Sequence, residues 1–149
     1  MRLSESDFTP NYFADFLGIQ TVYAGRDGVD MALELRNELL NSYHVAHGGV
    51  SMTMLDIVMA KAARWSDPYA QEGEMGRKVV TVEMKTSFLR PARPGKLTAH
   101  GQIIQVTESL AFTQGWAMDS YGKKVAHATG LFKYLREGRN KNLKQGNAV

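Results

Sequence analysis

The fold is decided by one stretch, Asn41-Ser-Tyr-His-Val-Ala-His-Gly-Gly-Val-Ser-Met-Thr-Met-Leu-Asp56. From Val50 to Trp65 there is no proline or glycine, and Met, Leu and Ala dominate, which predicts a helix. Gly48 and Gly49 allow close backbone approach at its start, where unpaired N–H groups favour negative charge. Asp56 is the one carboxylate in the apolar run. Such a group is costly unless it faces a polar cleft, a partner charge or a ligand.

A short helix and two strands are predicted before this stretch. Phe8 to Leu17 is rich in aromatic residues at helical spacing, which predicts one short helix ended by Gly18. This helix either covers the core or borders a ligand pocket. Ile19–Ala24 and Val29–Arg36 read as the strands of a hairpin, because the Gly-Arg-Asp-Gly between them is typical of a turn.

Four further strands are predicted after the helix, beyond a loop at residues 66–77 that is rich in glycine and charge. They form a meander and cover residues 78–88, 97–107, 110–120 and 123–135. In the first of them, strict alternation puts Val80 and Val82 on the apolar face and Thr81 on the opposite one. A single apolar helix followed by antiparallel strands predicts an α+β fold, with the sheet wrapped around the helix.

Length and composition limit the class of protein. With 149 residues, 44% of them hydrophobic and 22% charged, the chain fits one domain, assigned to residues 1–135. It has no cysteine, which excludes a disulfide framework and a thiol nucleophile. No signal peptide or membrane-spanning stretch is visible, so we expect a cytoplasmic protein with no membrane partner. Residues 136–149 are basic, and we expect a disordered tail that binds no nucleic acid.

The spacing of Asn41, His47-Gly48-Gly49 and Asp56 resembles the motif of hotdog-fold acyl-CoA thioesterases of the phenylacetic acid degradation type. The passage Ser87-Phe-Leu-Arg-Pro-Ala-Arg-Pro-Gly95 also resembles the strand-to-turn passage of these enzymes. The resemblance therefore covers about residues 17–135. It implies the hotdog fold, an acyl-CoA substrate, and a homodimer at least, with a homotetramer as the family's fuller assembly.

Helix geometry indicates that such a site is shared between two chains. Eight residues separate Gly48 from Asp56, and at about 1.5 Å per residue they lie roughly 12 Å apart. An oxyanion donor and a base must both lie near one reacting carbon, at about 3 Å. A second subunit with its helix antiparallel to the first would let Gly48 of one chain act with Asp56 of the other.

Thioester hydrolysis assigns a role to each residue of the motif. The Gly48 N–H polarises the carbonyl, while Asp56 either activates a water or attacks directly to form an anhydride. Asn41 positions the thioester or the water, and His47 braces the loop. The resemblance also implies a hydroxyl residue on the strand after the helix that helps to hold the water. Thr81 stands at that place.

Three basic residues are candidates for binding the phosphates of coenzyme A, namely Arg90, Arg93 and Lys96. Solvated surface charge is the alternative for each. The acyl group stays open between aromatic and medium-chain aliphatic, because pocket shape depends on packing.

The functional roles have structural alternatives. Asp56 can be a buried carboxylate bonded to backbone or to a histidine, Gly48-Gly49 a plain turn, and the helical methionines core residues. A two-residue gap between His44 and His47 is weak evidence for a metal site, so no metal and no cofactor are predicted. Two other functions stay open. One is a hydratase or dehydratase of acyl thioesters, whose His-containing motifs this chain lacks, and the other is a non-catalytic acyl-CoA-binding module.

Overall fold

The structure, a computed structural model, describes residues 10–136 as two α-helices, one short 3-10 helix (Asn37–Leu39) and a six-stranded antiparallel sheet. The elements are α1 (Tyr12–Leu17), β1 (Gln20–Gly25), β2 (Gly28–Glu34), α2 (Gly48–Trp65), β3 (Val79–Phe88), β4 (Lys96–Val106), β5 (Leu110–Met118) and β6 (Lys124–Tyr134). The strands and α2 lie within two residues of their predicted bounds. Helix α1 begins at Tyr12 because Asn11 caps it, so the prediction of a helix from Phe8 is wrong at Pro10 and Asn11. Residues 8–9 of that predicted helix and residues 137–149 of the predicted tail lie outside the described residues.

The sheet wraps around α2, and glycines let the two approach closely. A Cβ at Gly101 of β4 would lie 2.8 Å from the backbone of Val58, and one at Gly130 of β6 would lie 3.0 Å from the Met59 side chain. Val58 and Met59 are fully buried in this contact, where each apolar side chain stabilises the fold by about 1.5–3 kcal/mol. The predicted α+β hotdog arrangement is confirmed. Neither helix within residues 10–136 has the length and hydropathy needed to cross a membrane.

The strand order is β1-β2-β4-β5-β6-β3, which corrects the predicted meander. β4, β5 and β6 are neighbours, but β3 pairs with β6 at the far edge rather than with β4. β3 and β4 are joined by a connection over residues 89–95 rather than by a tight turn, and Pro91 and Pro94 in it have no N–H to donate. Instead, the Ala46 N–H donates to the Ala92 carbonyl at 2.7 Å and the Leu35 N–H to the Gly95 carbonyl at 2.9 Å. These bonds hold the connection beside β2.

A bulge in β3 changes which of its residues face the helix. Thr81 pairs with Phe132 and Glu83 with Leu131, so Val82 is an extra residue with no partner of its own on β6. Residues directly opposite each other in an antiparallel pair share a face, which puts Thr81 on the same face as the fully buried Phe132. The prediction that Thr81 lies opposite the apolar face is therefore wrong, because strict alternation does not survive the bulge.

The loop after α2 is held by an ion pair. Asp67 accepts hydrogen bonds from Arg77 Nη2 at 2.8 Å, from the Arg77 N–H at 2.7 Å and from the Tyr69 N–H at 3.0 Å. Burial opposes ionisation of Asp67, but these bonds hold its pKa below the usual value. The stabilisation that follows is present at neutral pH and is lost as pH falls through that lowered pKa.

Candidate active site

His47 caps the start of α2. Its backbone is extended, with φ −59° and ψ 136°, and its Nδ1 accepts a hydrogen bond from the Gly49 N–H at 2.9 Å. Its carbonyl accepts from the Val50 N–H, also at 2.9 Å. Within residues 10–136, no acceptor takes the N–H of Gly48, the first residue of the helix. One backbone donor at the positive end of α2 is thus left for a ligand.

Asn41 closes the loop that leads into α2. Its Oδ1 accepts from the Tyr43 N–H at 2.9 Å and from the Val45 N–H at 3.4 Å, while its own N–H donates to the Val45 carbonyl at 2.8 Å. Inside this loop His44 has a φ of 59°, a left-handed conformation that is costly for a residue other than glycine. The Asn41 oxygen is therefore occupied by the loop. Its amide NH₂ has no partner in the described part of the chain and is the group available to a ligand.

Asn41 and Gly48 line one cleft of about 410 Å³, together with Ser51, Phe88 and Arg90 among others. The Phe88 ring lies against Gly48, since a Cβ there would be 3.3 Å from Phe88 Cζ. The structure thus brings together the predicted oxyanion donor, the predicted amide and one of the predicted basic residues. We call this the Gly48 cleft.

Asp56 and Thr81 line a separate cleft, also of about 410 Å³, which we call the Asp56 cleft. Thr81 Oγ1 donates a hydrogen bond to Asp56 Oδ1 at 2.7 Å, a contact that the bulge in β3 permits. Asp56 is half-buried rather than enclosed in the core. The wall of this cleft is mostly apolar and includes Phe13, Met52, Ile57 and Met84. In one chain, then, the predicted carboxylate and the predicted oxyanion donor do not meet.

The three predicted basic residues lie at different places. Arg90 lines the Gly48 cleft, and Arg93 lines a neighbouring cleft of about 530 Å³ that shares Val45 and Pro91 with it. Lys96 is the exposed first residue of β4 and lines neither of them. Two of the three candidates are therefore placed near Gly48.

Helix α1 both covers the core and borders a cleft, the two roles that its aromatic pattern left open. Ala14 and Leu17 are buried in the core, whereas Phe13, still 56% exposed, lines the Asp56 cleft. Sequence reasoning named no residue of α1 or of β3 beyond Thr81 for the site. The exposed aromatic face of α1 was the available signal, and nothing in the sequence pointed to Met84.

His100 lies outside both clefts, in contact with Asp30 and Trp116. His100 Nδ1 and Asp30 Oδ1 are 2.6 Å apart, and the His100 ring packs against Trp116 with centroids 4.8 Å apart. Across the part of the chain that the structure describes, no group of three or more His, Asp or Glu side chains is placed to hold a metal ion. The two clefts supply a carboxylate, a hydroxyl and backbone or amide donors.

Comparison with known proteins identifies the family. The family model of the thioesterase superfamily matches residues 43–126, which is 84 of the 149 residues. A Haemophilus influenzae protein named "Putative esterase" is 27% identical over 109 residues, covering 73% of this chain and 72% of that protein.

Solved structures share the fold at lower identity. Conserved protein PA5202 from Pseudomonas aeruginosa superposes with a TM-score of 0.78 at 21% identity, covering 89% of this chain and 100% of that one. The E. coli PaaI protein from the phenylacetic acid degradation operon gives a TM-score of 0.77 at 20% identity, covering 88% and 89%. At these identities the likeness is one of fold.

Proposed function

The chain belongs to the thioesterase superfamily, and on that premise we propose that it is an acyl-CoA thioesterase, releasing a free acid and coenzyme A. One observation carries the proposal. A helix N–H that has no acceptor within residues 10–136, at Gly48, and a hydroxyl-bound carboxylate, at Asp56, lie on the same helix but in two different clefts. These are the two halves that acyl transfer needs, an oxyanion donor and a base or nucleophile.

A second subunit would bring the halves together. β3 is the edge strand nearest Asp56, and apolar side chains are exposed there, with Val80 45%, Val82 55% and Met52 of α2 37% accessible. An unpaired edge with exposed apolar groups favours association with another copy. A two-fold dimer that covers this edge would present Gly48 of each chain to Asp56 of the other, giving two identical sites. The tetramer implied by the resemblance would be a pair of such dimers.

Hydrolysis follows from these groups. The Gly48 N–H, aided by the helix dipole, stabilises negative charge on the carbonyl oxygen as the tetrahedral intermediate forms. Asp56 takes a proton from the water whose oxygen bonds to the carbonyl carbon. The C–S bond then breaks, and the thiolate of coenzyme A takes up that proton. In the alternative path an Asp56 oxygen bonds to the carbonyl carbon while the C–S bond breaks and coenzyme A leaves as the thiolate. Water then cleaves the anhydride, which gives the free acid and the Asp56 carboxylate, and the proton released goes to the thiolate. Thr81 orients the carboxylate in either path, and the Asn41 amide positions the thioester or the water.

A thiol-release assay over a panel of aromatic and aliphatic acyl-CoA thioesters tests the proposal, with Asp56→Asn beside the wild type. Asparagine keeps the shape of the side chain and removes the base. We expect thiol release to fall at least about a hundredfold.

The same assay separates the alternatives. Full activity of Asp56→Asn would refute the role of Asp56, and an active protein that is strictly monomeric by light scattering would refute the shared site. An enoyl-CoA that gains water without releasing thiol would indicate a hydratase. Binding of coenzyme A without any turnover would indicate a binding module.

A further inference from the structure

Ser51 is a buried serine that lines the Gly48 cleft. It lies on α2, one turn after Gly48, and the residue is only 4% exposed. Residues three apart on a helix share a face, and helical side chains lean towards the N-terminus. The Ser51 side chain therefore leans back towards the turn that begins with Gly48.

The Ser51 hydroxyl has no hydrogen-bond partner within residues 10–136. Thr53 shows the usual arrangement of a helical hydroxyl, because its Oγ1 donates to the Gly49 carbonyl, four residues earlier, at 2.7 Å. The equivalent acceptor for Ser51 would be the His47 carbonyl, and this bond does not form. A buried hydroxyl without a partner is destabilising, which is a reason to expect a ligand atom beside it.

The oxygen of Ser51 reaches the cleft rather than an enclosed gap in the core. Within residues 10–136, the one buried side-chain oxygen or nitrogen that is fully enclosed and unpaired belongs to Thr86. Ser51 Oγ is unpaired but not enclosed in this way, so the small exposed part of the residue includes this oxygen. Ser51 Oγ and the Gly48 N–H are therefore two unpaired donors on one face of α2 in the same cleft.

We propose that Ser51 is the second donor of the oxyanion site, and that its hydroxyl binds the thioester carbonyl oxygen beside the Gly48 N–H. Such donors are most effective when they are already in place where negative charge develops. Ser51 meets this condition, because burial confines its side chain and no other group within residues 10–136 accepts its proton.

The Ser51 hydroxyl keeps its proton throughout the reaction. Its hydrogen bond strengthens as the carbonyl oxygen becomes negative, and no covalent bond of the serine breaks. This inference rests on the proposed function, and it adds a catalytic residue that lies outside the motif of Asn41, His47-Gly48-Gly49 and Asp56.

Ser51→Ala removes the hydroxyl but no hydrogen bond within residues 10–136. We expect kcat for thiol release to fall about 100-fold, the lower end of the range for one oxyanion donor, with KM little changed. The midpoint of thermal unfolding should not fall, because alanine is the better helix former and buries no unpaired hydroxyl. A role in packing alone would lower both together.

Ser66→Ala is the matched control. Ser66 follows the last residue of α2 and lies outside both clefts, and its hydroxyl donates to the Arg26 carbonyl at 3.4 Å. This variant loses a hydrogen bond of the protein and should keep its activity, whereas Ser51→Ala loses none and should be impaired.

Two stable analogues of the substrate test the contact without turnover. In a ketone analogue a methylene group replaces the thioester sulfur and the carbonyl is kept. In a thioether analogue a methylene group replaces the carbonyl. In titration calorimetry, Ser51→Ala should bind the ketone about tenfold more weakly than the wild type does, and should bind the thioether equally well.

The outcomes separate this inference from the proposed function. Full activity of Ser51→Ala beside an active wild type would overturn the inference and leave the proposed function standing. A lower kcat with unchanged binding of the ketone would assign the hydroxyl to the attacking water, and would also overturn it. If the wild type hydrolyses no acyl-CoA, the proposed function fails, and the calorimetry alone decides whether Ser51 binds a carbonyl oxygen.

Discussion

The Gly48 cleft and the Asp56 cleft lie along one helix but are built from different parts of the chain. The Gly48 cleft uses backbone, since its donor is the N–H of the first helical residue, and its loop is closed by Asn41. The Asp56 cleft uses side chains, because its carboxylate is bound by the Thr81 hydroxyl within an apolar wall. A backbone group survives almost any side-chain replacement, whereas a carboxylate does not. The two halves therefore need different mutations to test them.

The largest effect is expected from Gly48→Pro, which removes the N–H itself. Proline is favoured at the first position of a helix, and His47 before it already has the extended backbone that a following proline requires. The helix should therefore form normally. We expect thiol release to fall about 100- to 1000-fold, the usual cost of losing one oxyanion donor.

Gly48→Ala is the matched control for this change. It adds a Cβ close to the Phe88 ring but keeps the N–H, so its loss of activity should be far smaller. Circular dichroism and thermal unfolding would verify that both variants fold. If the two variants lose the same activity, crowding at Phe88 rather than the N–H is responsible, and the assignment of the oxyanion donor fails.

Mixing two inactive variants would test whether the clefts meet across subunits. After subunit exchange between Gly48→Pro and Asp56→Asn, half of the dimers are mixed, and each mixed dimer has one intact site out of two. Activity should rise to about a quarter of the wild-type value.

A site within one chain would give no recovery on mixing. The control is a mixture of Asp56→Asn with Thr81→Val, which damage the same cleft. It should show only the average of its parts, and recovery in this mixture would contradict the division into two halves.

The secondary-structure elements and the family could be predicted from the sequence. Helix α2 and the strands follow from hydrophobic periodicity, which is a local property, so their bounds were predicted to within two residues. The spacing of Asn41, Gly48 and Asp56 was the pattern that predicted the family. Helix rise alone indicated that Gly48 and Asp56 do not share a site within one chain, and they line separate clefts.

The two wrong predictions, the position of β3 and the face of Thr81, depend on contacts between distant parts of the chain. β3 lies beside β6, and residues 89–95 form hydrogen bonds with Leu35, Ala46 and Val125, which are distant in sequence. Hydrophobic periodicity is local and contains no information about such contacts. The bulge at Val82 is defined only by pairing with β6, so the face of Thr81 was mispredicted although the residue had been named.

Thr81→Val should give the smallest loss of thiol-release activity, and it tests the hydroxyl that the bulge places beside Asp56. Valine keeps the size of the side chain but cannot donate to Asp56, and a hydrogen bond to a charged group is worth about 1.5–3 kcal/mol. We expect kcat to fall at least about tenfold, and Thr81→Ser, which keeps the hydroxyl, to lose less.

Thr86→Val is the matched control. Thr86 lies on the same strand, and its buried hydroxyl has no hydrogen-bond partner among the described residues, so this change should leave activity intact. Equal losses in the two valine variants would mean that β3 acts through packing alone, and that the hydroxyl brought to Asp56 by the bulge has no part in the reaction.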